Sequence, residues 1–162
     1  MVKLQPRTAV EKEKLTIMDC NYIAGIVRVE MAADWSIAKL RRAGGKVVNL
    51  ELEAGTGWWR QDFANAEYNE SGAGGDARKR TLKMVLPISD GEEVLEGIEI
   101  LAEERWVVRM TDGRGVQWII GDEQEPLVLT WSRTNAGEAN GKDEVVVQLE
   151  SEGRYGAMEL LV

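Results

Sequence analysis

Histidine is absent from this chain of 162 residues, which also contains a single cysteine, a single phenylalanine and three prolines. Without histidine, the chain lacks the usual general base near neutral pH and the commonest metal ligand. Cys20 alone permits no disulfide within the chain, and no zinc site of the Cys/His type can form. These absences disfavour an enzyme, while carboxylate chemistry and oxygen-ligated cations stay open.

Long apolar runs are missing as well. No stretch approaches the roughly 18 apolar residues that a membrane helix needs. The first 20 residues mix Lys with Glu and lack the apolar segment of a signal peptide. We therefore expect synthesis in a cytoplasm and no membrane partner. The length fits one globular domain, so we assign residues 1–21 to an N-terminal arm and residues 22–162 to a single β-sandwich domain.

Alternation of apolar and polar residues is the main secondary-structure signal. Residues 46–53 (KVVNLELE) place Val48, Leu50 and Leu52 on one face, and residues 81–88 (TLKMVLPI) repeat the pattern. Similar segments follow one another at spacings of roughly 8 to 12 residues, with turn residues between them. We predict a mainly β fold, either an antiparallel β-sandwich or a partly open barrel.

Three of the segments carry more detailed expectations. Residues 22–33 read as a strand with Val27, Val29 and Met31 on one face. Residues 34–42 (DWSIAKLRR) could make one or two helical turns. The segment 58–64 (WWRQDFA) is predicted to pair with the strand before it.

One amphipathic helix is predicted at about 90–104, with Ser89 as its N-cap and Glu92 completing a capping box. Its apolar stripe consists of Val94, Leu95, Ile98 and Leu101. The polar, glycine-rich segment at about 65–80 is predicted to be a long loop that becomes ordered against a neighbouring subunit.

The glycines and carboxylates near residue 120 carry no recognisable catalytic motif. Gly113, Gly115 and Gly121 precede a strand rather than a helix, so we interpret them as hairpin glycines and not as a phosphate-binding loop. The turn GDEQE, residues 121–125, could hold a hard cation or act as a glycosidase pair. It lacks the spacing of a calcium loop, and we interpret it as a solvated turn.

The aromatic residues are unusual, since six tryptophans accompany one phenylalanine. We predict that Trp106, Trp118 and Trp131 lie in the core. Trp58 and Trp59 are neighbours, and neighbours in a strand point to opposite faces, so only one of them can be buried. The other is expected to be exposed, in a subunit interface or as a platform for a sugar or base.

Charge suggests two further surfaces. The basic run 78–80 is interpreted as the charged foot of the loop or as a contact to a neighbouring copy. With the tryptophan pair, the subunit-interface candidates are Trp58, Trp59, Gly72, Gly74, Gly75, Arg78, Lys79 and Arg80. Residues 91–162 carry 6 basic and 16 acidic side chains, hence a net charge of −10. The candidates for an acidic surface are Asp122, Glu123, Glu125, Glu138, Asp143 and Glu144.

The order of these elements resembles a known family. A Gly-rich excursion (71–80, SGAGGDARKR) is followed by a strand ending in Pro (82–87, LKMVLP), one helix, and the hairpin 105–129. This order is similar to that of the small β-sandwich virion proteins of tailed bacteriophages, of the tail-tube, tail-terminator and neck-ring type. The resemblance implies a sheet that continues between subunits of a ring, and an acidic lumen along which DNA passes as cargo.

We therefore expect a non-enzymatic structural subunit that forms a ring with copies of itself in a virion, without a cofactor or metal. The alternative is a carbohydrate- or ligand-binding β-sandwich module that uses Trp58 or Trp59. A third possibility is a carboxylate-dependent hydrolase.

Overall fold

The structure is a computed structural model that describes residues 23–44, 47–72, 77–86, 91–135 and 143–161. The predicted N-terminal arm, 1–21, lies outside the described residues. So do the predicted N-cap Ser89 and the strand residue Ile88, and the side chain of Glu92 is not described either.

Eleven strands and one helix follow one another along the described chain. The strands are β1 (Ile26–Ala33), β2 (Ile37–Ala43), β3 (Val47–Leu52), β4 (Trp59–Gln61), β5 (Asn65–Gly72), β6 (Arg78–Leu86), β7 (Arg105–Asp112), β8 (Gln117–Ile120), β9 (Leu127–Asn135), β10 (Asp143–Gly153) and β11 (Met158–Leu160). The helix, α1 (Gly91–Ala102), lies between β6 and β7 and confirms the single predicted helix.

All eleven strands belong to one sheet that does not close into a barrel. Its order is β2-β3-β11-β8-β7-β9-β10-β6-β5, while β1 pairs with β7 and with the short strand β4. The β3–β11 pair is parallel, and the other described pairs are antiparallel. The predicted mainly β fold, open and with one helix, is confirmed.

The central strand β7 is buried on both faces, which explains its nearly continuous apolar sequence. Val108 and Met110 face the larger core cluster, to which β1, β6, β8, β9, β10 and Ile98 of α1 also contribute. Val107 faces a smaller cluster that contains Val48 of β3. The predicted alternation in β3 is confirmed, because Leu50 and Leu52 pack against this cluster while Asn49 and Glu51 are exposed.

The prediction of a long loop at 65–80 is wrong over most of that segment. Residues 65–72 form β5, which pairs with β6 from Asn65↔Val85 to Gly72↔Arg78. Only Ala66 and Tyr68 of β5 pack against the core. Because two inward side chains give too little apolar periodicity, the sequence of this edge strand reads as a loop.

Three local predictions are also corrected. The helical turn expected at 34–42 is confined to a 3-10 turn at Asp34–Ser36, after which β2 begins. The strand β4 pairs with β1 and not with β3. Val27 is 59% exposed because the register shifts between Ile26 and Arg28, which separates its side chain from those of Val29 and Met31.

The predicted hairpin between β7 and β8 is confirmed, and the buried Asp112 organises it. Its carboxylate accepts hydrogen bonds from the backbone N–H of Arg114 (2.9 Å) and of Val116 (3.1 Å). It also accepts from the Arg114 guanidinium (3.0 Å) and the Trp118 indole (3.1 Å). Burial alone would raise the pKa of Asp112, but these four donors outweigh it and lower the pKa to about 2.

We predict that Asp112 makes folding sensitive to acid. A carboxyl whose pKa falls from 3.8 to about 2 on folding stabilises the fold by about 2 kcal/mol above pH 4. This contribution disappears as the pH falls from about 4 to 2. Urea unfolding should therefore show that Asp112→Asn is clearly less stable than the wild type at pH 7, and that the difference narrows at pH 2.5. Asp62→Asn, at an 85% exposed carboxylate, is the control. A difference that is constant with pH would contradict this role.

Candidate functional site

A buried guanidinium lies where β6, β10 and two connecting segments meet. The Arg80 side chain donates hydrogen bonds to the carbonyl oxygens of Tyr155 (2.9 Å) and Glu125 (3.1 Å), and to the Ser151 hydroxyl. Burial lowers the pKa of Arg80, and the charge of Glu125 acts in the opposite direction. Arginine nevertheless keeps its charge in proteins, so the fold contains an interior cation held by neutral acceptors.

The turn after β8 contributes the second part of this arginine cluster, which we define as Arg42, Arg80, Asp122, Glu125 and Tyr155. Asp122 accepts from the backbone N–H of Gln124 (2.8 Å) and Glu125 (2.7 Å), and it forms an ion pair with Arg42. Burial would raise the pKa of Asp122, but the hydrogen bonds and the Arg42 charge lower it. The Arg42 guanidinium also stacks on the Tyr155 ring at 4.2 Å.

A second carboxylate holds the segment before β11 against β5. Glu70 accepts from the Tyr68 hydroxyl (2.7 Å) and the backbone N–H of Ala157 (2.6 Å), and its other oxygen lies 3.6 Å from Arg78. Burial and the Glu70 charge together raise the pKa of Tyr68. The tyrosine thus remains a neutral hydrogen-bond donor and is unsuited to act as a base.

The interior of the arginine cluster has no room for a water molecule between Arg42, Arg80, Gly121 and Gly156. A substrate could not reach Arg80 without a rearrangement of both connecting segments. We conclude that the arginine cluster fixes the positions of these segments and does not bind a ligand in this conformation.

Several predicted surface residues are therefore structural. Arg80, expected in a subunit interface, is only 1% exposed, and Asp122, expected on an acidic surface, is buried. Glu125 is half-buried, and its carboxylate accepts from the backbone N–H of Arg154 at 2.9 Å. The sequence could not reveal the acceptors of Arg80 or the ion pair of Asp122 with Arg42, because these partners are distant along the chain. The backbone donors to Asp122 are local to its turn, but the sequence does not show that the turn is buried.

The other candidates have mixed outcomes. The side chains of Arg78, Lys79 and Glu123 are exposed, and so is Gly72 at the end of β5. Glu144 is half-buried. Gly74, Gly75 and Glu138 lie outside the described residues, and the side chain of Asp143 is not described.

The prediction that one tryptophan of the pair packs inward while the other is exposed is confirmed, whereas the interface role of the exposed one stays a prediction. Trp58 packs against the smaller core cluster, and its ring stacks on the Arg109 guanidinium at 4.4 Å. Arg109 in turn donates two hydrogen bonds to the Glu30 carboxylate, at 3.1 and 2.7 Å. Trp59 is 55% exposed on the edge strand β4.

Other tryptophans depart from expectation. Trp106 and Trp118 are buried as predicted, but Trp131, also predicted in the core, is 37% exposed. Trp35, for which no role was predicted, is 66% exposed, and its indole N–H donates to Glu104 at 3.2 Å. Ile100 was also overlooked, although its position outside the apolar stripe of α1 is a signal that the sequence does contain.

Within the described ranges, no three His, Cys, Asp or Glu side chains gather in an arrangement that could hold a metal ion. In the same part of the chain, no helix has the length and apolar character needed to cross a membrane. Comparison with protein-family models, with curated proteins and with solved structures finds no significant match.

We predict that Gly153→Ala destabilises the protein by about 2 kcal/mol, because a new side-chain atom overpacks a filled interior. A Cβ at Gly153 would contact the Arg80 guanidinium and lie 2.6 Å from a Glu125 carboxylate oxygen. Urea denaturation measures the effect. The matched control is Gly57→Ala, since a Cβ at Gly57 meets nothing within 4 Å and the backbone there is not left-handed. Equal stabilities of the two variants would show that the arginine cluster adapts easily.

Proposed function

We propose that this protein is a non-enzymatic structural subunit that assembles with copies of itself into a ring of a phage particle. A tail tube, a tail terminator and a neck or connector ring are the candidate assemblies. In this proposal the protein acts in the virion, together with other virion proteins, and DNA is only passing cargo.

The observation that carries self-assembly is the exposure of large apolar side chains on a strongly charged surface. Trp35, Trp59 and Ile100 are each more than half exposed. Tryptophan is enriched at protein interfaces. Moving an exposed apolar side chain out of water into such an interface lowers the free energy. These side chains therefore favour a protein contact.

The distribution of these residues favours a flat contact over a ligand pocket. Among the described residues, two open clefts of about 190 and 180 Å³ lie between the start of β1 and β5 and beside the Arg42–Asp122 pair. No tryptophan lines either cleft. A small-molecule site is usually concave and lined by aromatic side chains, whereas Trp35 and Trp59 lie on a turn and on an edge strand.

Open strand edges support the same proposal. Among the described strands, β2 pairs only with β3, so one of its edges offers unpaired backbone donors and acceptors. Such edges are templates for pairing with another chain, although the exposed Lys39 and Arg41 on β2 discourage uncontrolled pairing.

The phage setting rests on the order of elements along the sequence, from the Gly-rich segment 71–80, whose two ends belong to β5 and β6, through the helix to the final strands. The proposal still includes an acidic lumen, but fewer of the candidate carboxylates are free to line it. Glu123 is an exposed candidate, while Asp122 and Glu125 are occupied within the fold.

A carbohydrate-binding module is the second candidate, because a single exposed indole such as that of Trp59 can stack on a sugar ring. Titration with a panel of oligosaccharides, followed by tryptophan fluorescence, would detect it. Saturable binding that Trp59→Ala abolishes would favour this candidate over assembly.

We predict that the full chain forms a closed ring, visible by negative-stain electron microscopy and with a single mass by light scattering. Trp59→Ser should weaken association about tenfold or more, because central aromatic residues dominate interface energies, without lowering the melting temperature of the subunit. Leu161→Ser, which removes another exposed apolar side chain, is the control and should assemble normally. A wild-type protein that stays monomeric at high micromolar concentration would refute self-assembly.

A further inference from the structure

The outward face of α1 has an apolar centre surrounded by carboxylates. Ile100 is 67% exposed, and the exposed Glu96 lies one helical turn before it on the same side of α1. The exposed Glu103 and Glu104 follow directly after the end of the helix. Trp35 extends this surface, since its indole is anchored to Glu104. We define the acidic helix face as Ile100, Trp35, Glu96, Glu99, Glu103 and Glu104.

These carboxylates are poorly compensated in the isolated subunit. The last turn of α1 contains no basic residue, and the C-terminal end of a helix disfavours negative charge. No described residue forms an ion pair with Glu99 or Glu103. An exposed apolar centre with unneutralised negative charge around it fits a partner that is both apolar and cationic.

The same chain carries a surface of that complementary kind. At the edge formed by β1 and β4, Val27 is exposed beside the exposed Arg28, and Arg60 is exposed opposite Glu30. Trp59 is exposed at the same edge but on the other face of β4, since it lies opposite the inward Met31. We define the cationic edge as Val27, Arg28, Trp59 and Arg60. No described carboxylate forms an ion pair with Arg28, and the contact of Arg60 with Asp62, at 3.9 Å, is too long for a hydrogen bond.

Within one molecule the register directs Arg60 towards Glu30, but the Glu30 carboxylate is already bound by both donors of Arg109. The charge of Arg28 thus stays available, and that of Arg60 is offset only by the exposed Asp62 at 3.9 Å. Each subunit therefore presents one mainly acidic and one mainly cationic surface, each with exposed apolar side chains close by.

We propose that the acidic helix face of one subunit binds the cationic edge of a second copy of this chain. This inference rests on the proposed self-assembly and names its contact surfaces. Two different surfaces in contact make a heterologous interface, which leaves one surface of each kind free at either end. Such an interface generates a ring when the rotation between subunits closes, and an open filament when it does not.

Charge reversal tests the pairing directly. The acidic-face variant is Glu99→Lys with Glu103→Lys, and the cationic-edge variant is Arg28→Glu with Arg60→Glu. Each variant alone should self-associate at least about tenfold more weakly than the wild type in sedimentation velocity. An equimolar mixture of the two variants should assemble again, because every contact then joins opposite charges. The matched control, Glu51→Lys with Glu53→Lys, changes the same charge at exposed positions of β3 and the turn after it, and should assemble normally.

For the acidic-face variant, the melting temperature is a second readout, which should not fall when association is lost. Lysines near the C-terminal end of α1 interact favourably with the helix dipole, so this variant should melt at the same or a higher temperature while losing association. A loss of association through misfolding would instead lower the melting temperature. Wild-type association should also weaken as NaCl rises from 0.05 to 0.5 M, because salt screens exposed charges.

The outcomes separate the two proposals. A monomeric wild type overturns self-assembly and this interface together. A wild-type oligomer that either charge-reversal variant still forms, or that their mixture fails to restore, overturns only the pairing of these surfaces and leaves self-assembly in place.

Discussion

The buried charge of Arg80 is the constraint on which the segments around residues 125 and 155 depend for their positions. A guanidinium in the interior is tolerated only when its donors find acceptors, and here the acceptors come from the carbonyls of Glu125 and Tyr155 and from the Ser151 hydroxyl. The backbone around residues 125 and 155 must therefore adopt one arrangement. Arg42 and Asp122 strengthen that arrangement from the side of β2, and Gly153 leaves the space that the guanidinium occupies.

Rigidity at this end has a consequence for the strands that it connects. The segment before β11 is held by Arg80 and, through Ala157, by Glu70 of β5. As a result β11 reaches both β8 and β3 and joins the two halves of the sheet by short ladders. The β2–β3 pair then covers the outer face of β7 and β8, where Val107 and Ile119 meet Val48. An interior cation thus helps to build the apolar cluster that it adjoins, since Val48, Ile119 and Met158 line the same small cavity as Arg80.

Sequence patterns identified the elements whose side chains alternate over a core, and they failed where partners are distant. The periodicity in β3, β6 and α1 suffices to place Val48, Leu82 and Ile98 inside, since burial of one face is a local signal. The edge strand β5 buries too few residues to show that signal. Arg80 reads as a surface charge because its acceptors are distant along the chain, and one sequence contains no record of such pairs. Asp122 reads as part of a solvated turn because its local backbone donors leave no sign of burial in the sequence. The sequence likewise contains no signal for the 3-10 turn that exposes Trp35.

Two kinds of charge therefore coexist in this protein. The first kind, that of Arg80, Asp122, Glu70 and Asp112, is held by hydrogen bonds within the chain and determines the fold. The second kind belongs to the acidic helix face, where Glu104 accepts from Trp35. Glu99 and Glu103 form no ion pair with a described residue, and they stand where the helix dipole opposes them. The interior charges are largely satisfied, although the buried Nε atoms of Arg80 and Arg42 have no hydrogen-bond partner. The carboxylates around the exposed Ile100 take no part in that network, and their placement is what the proposed contact with the cationic edge of a second copy requires.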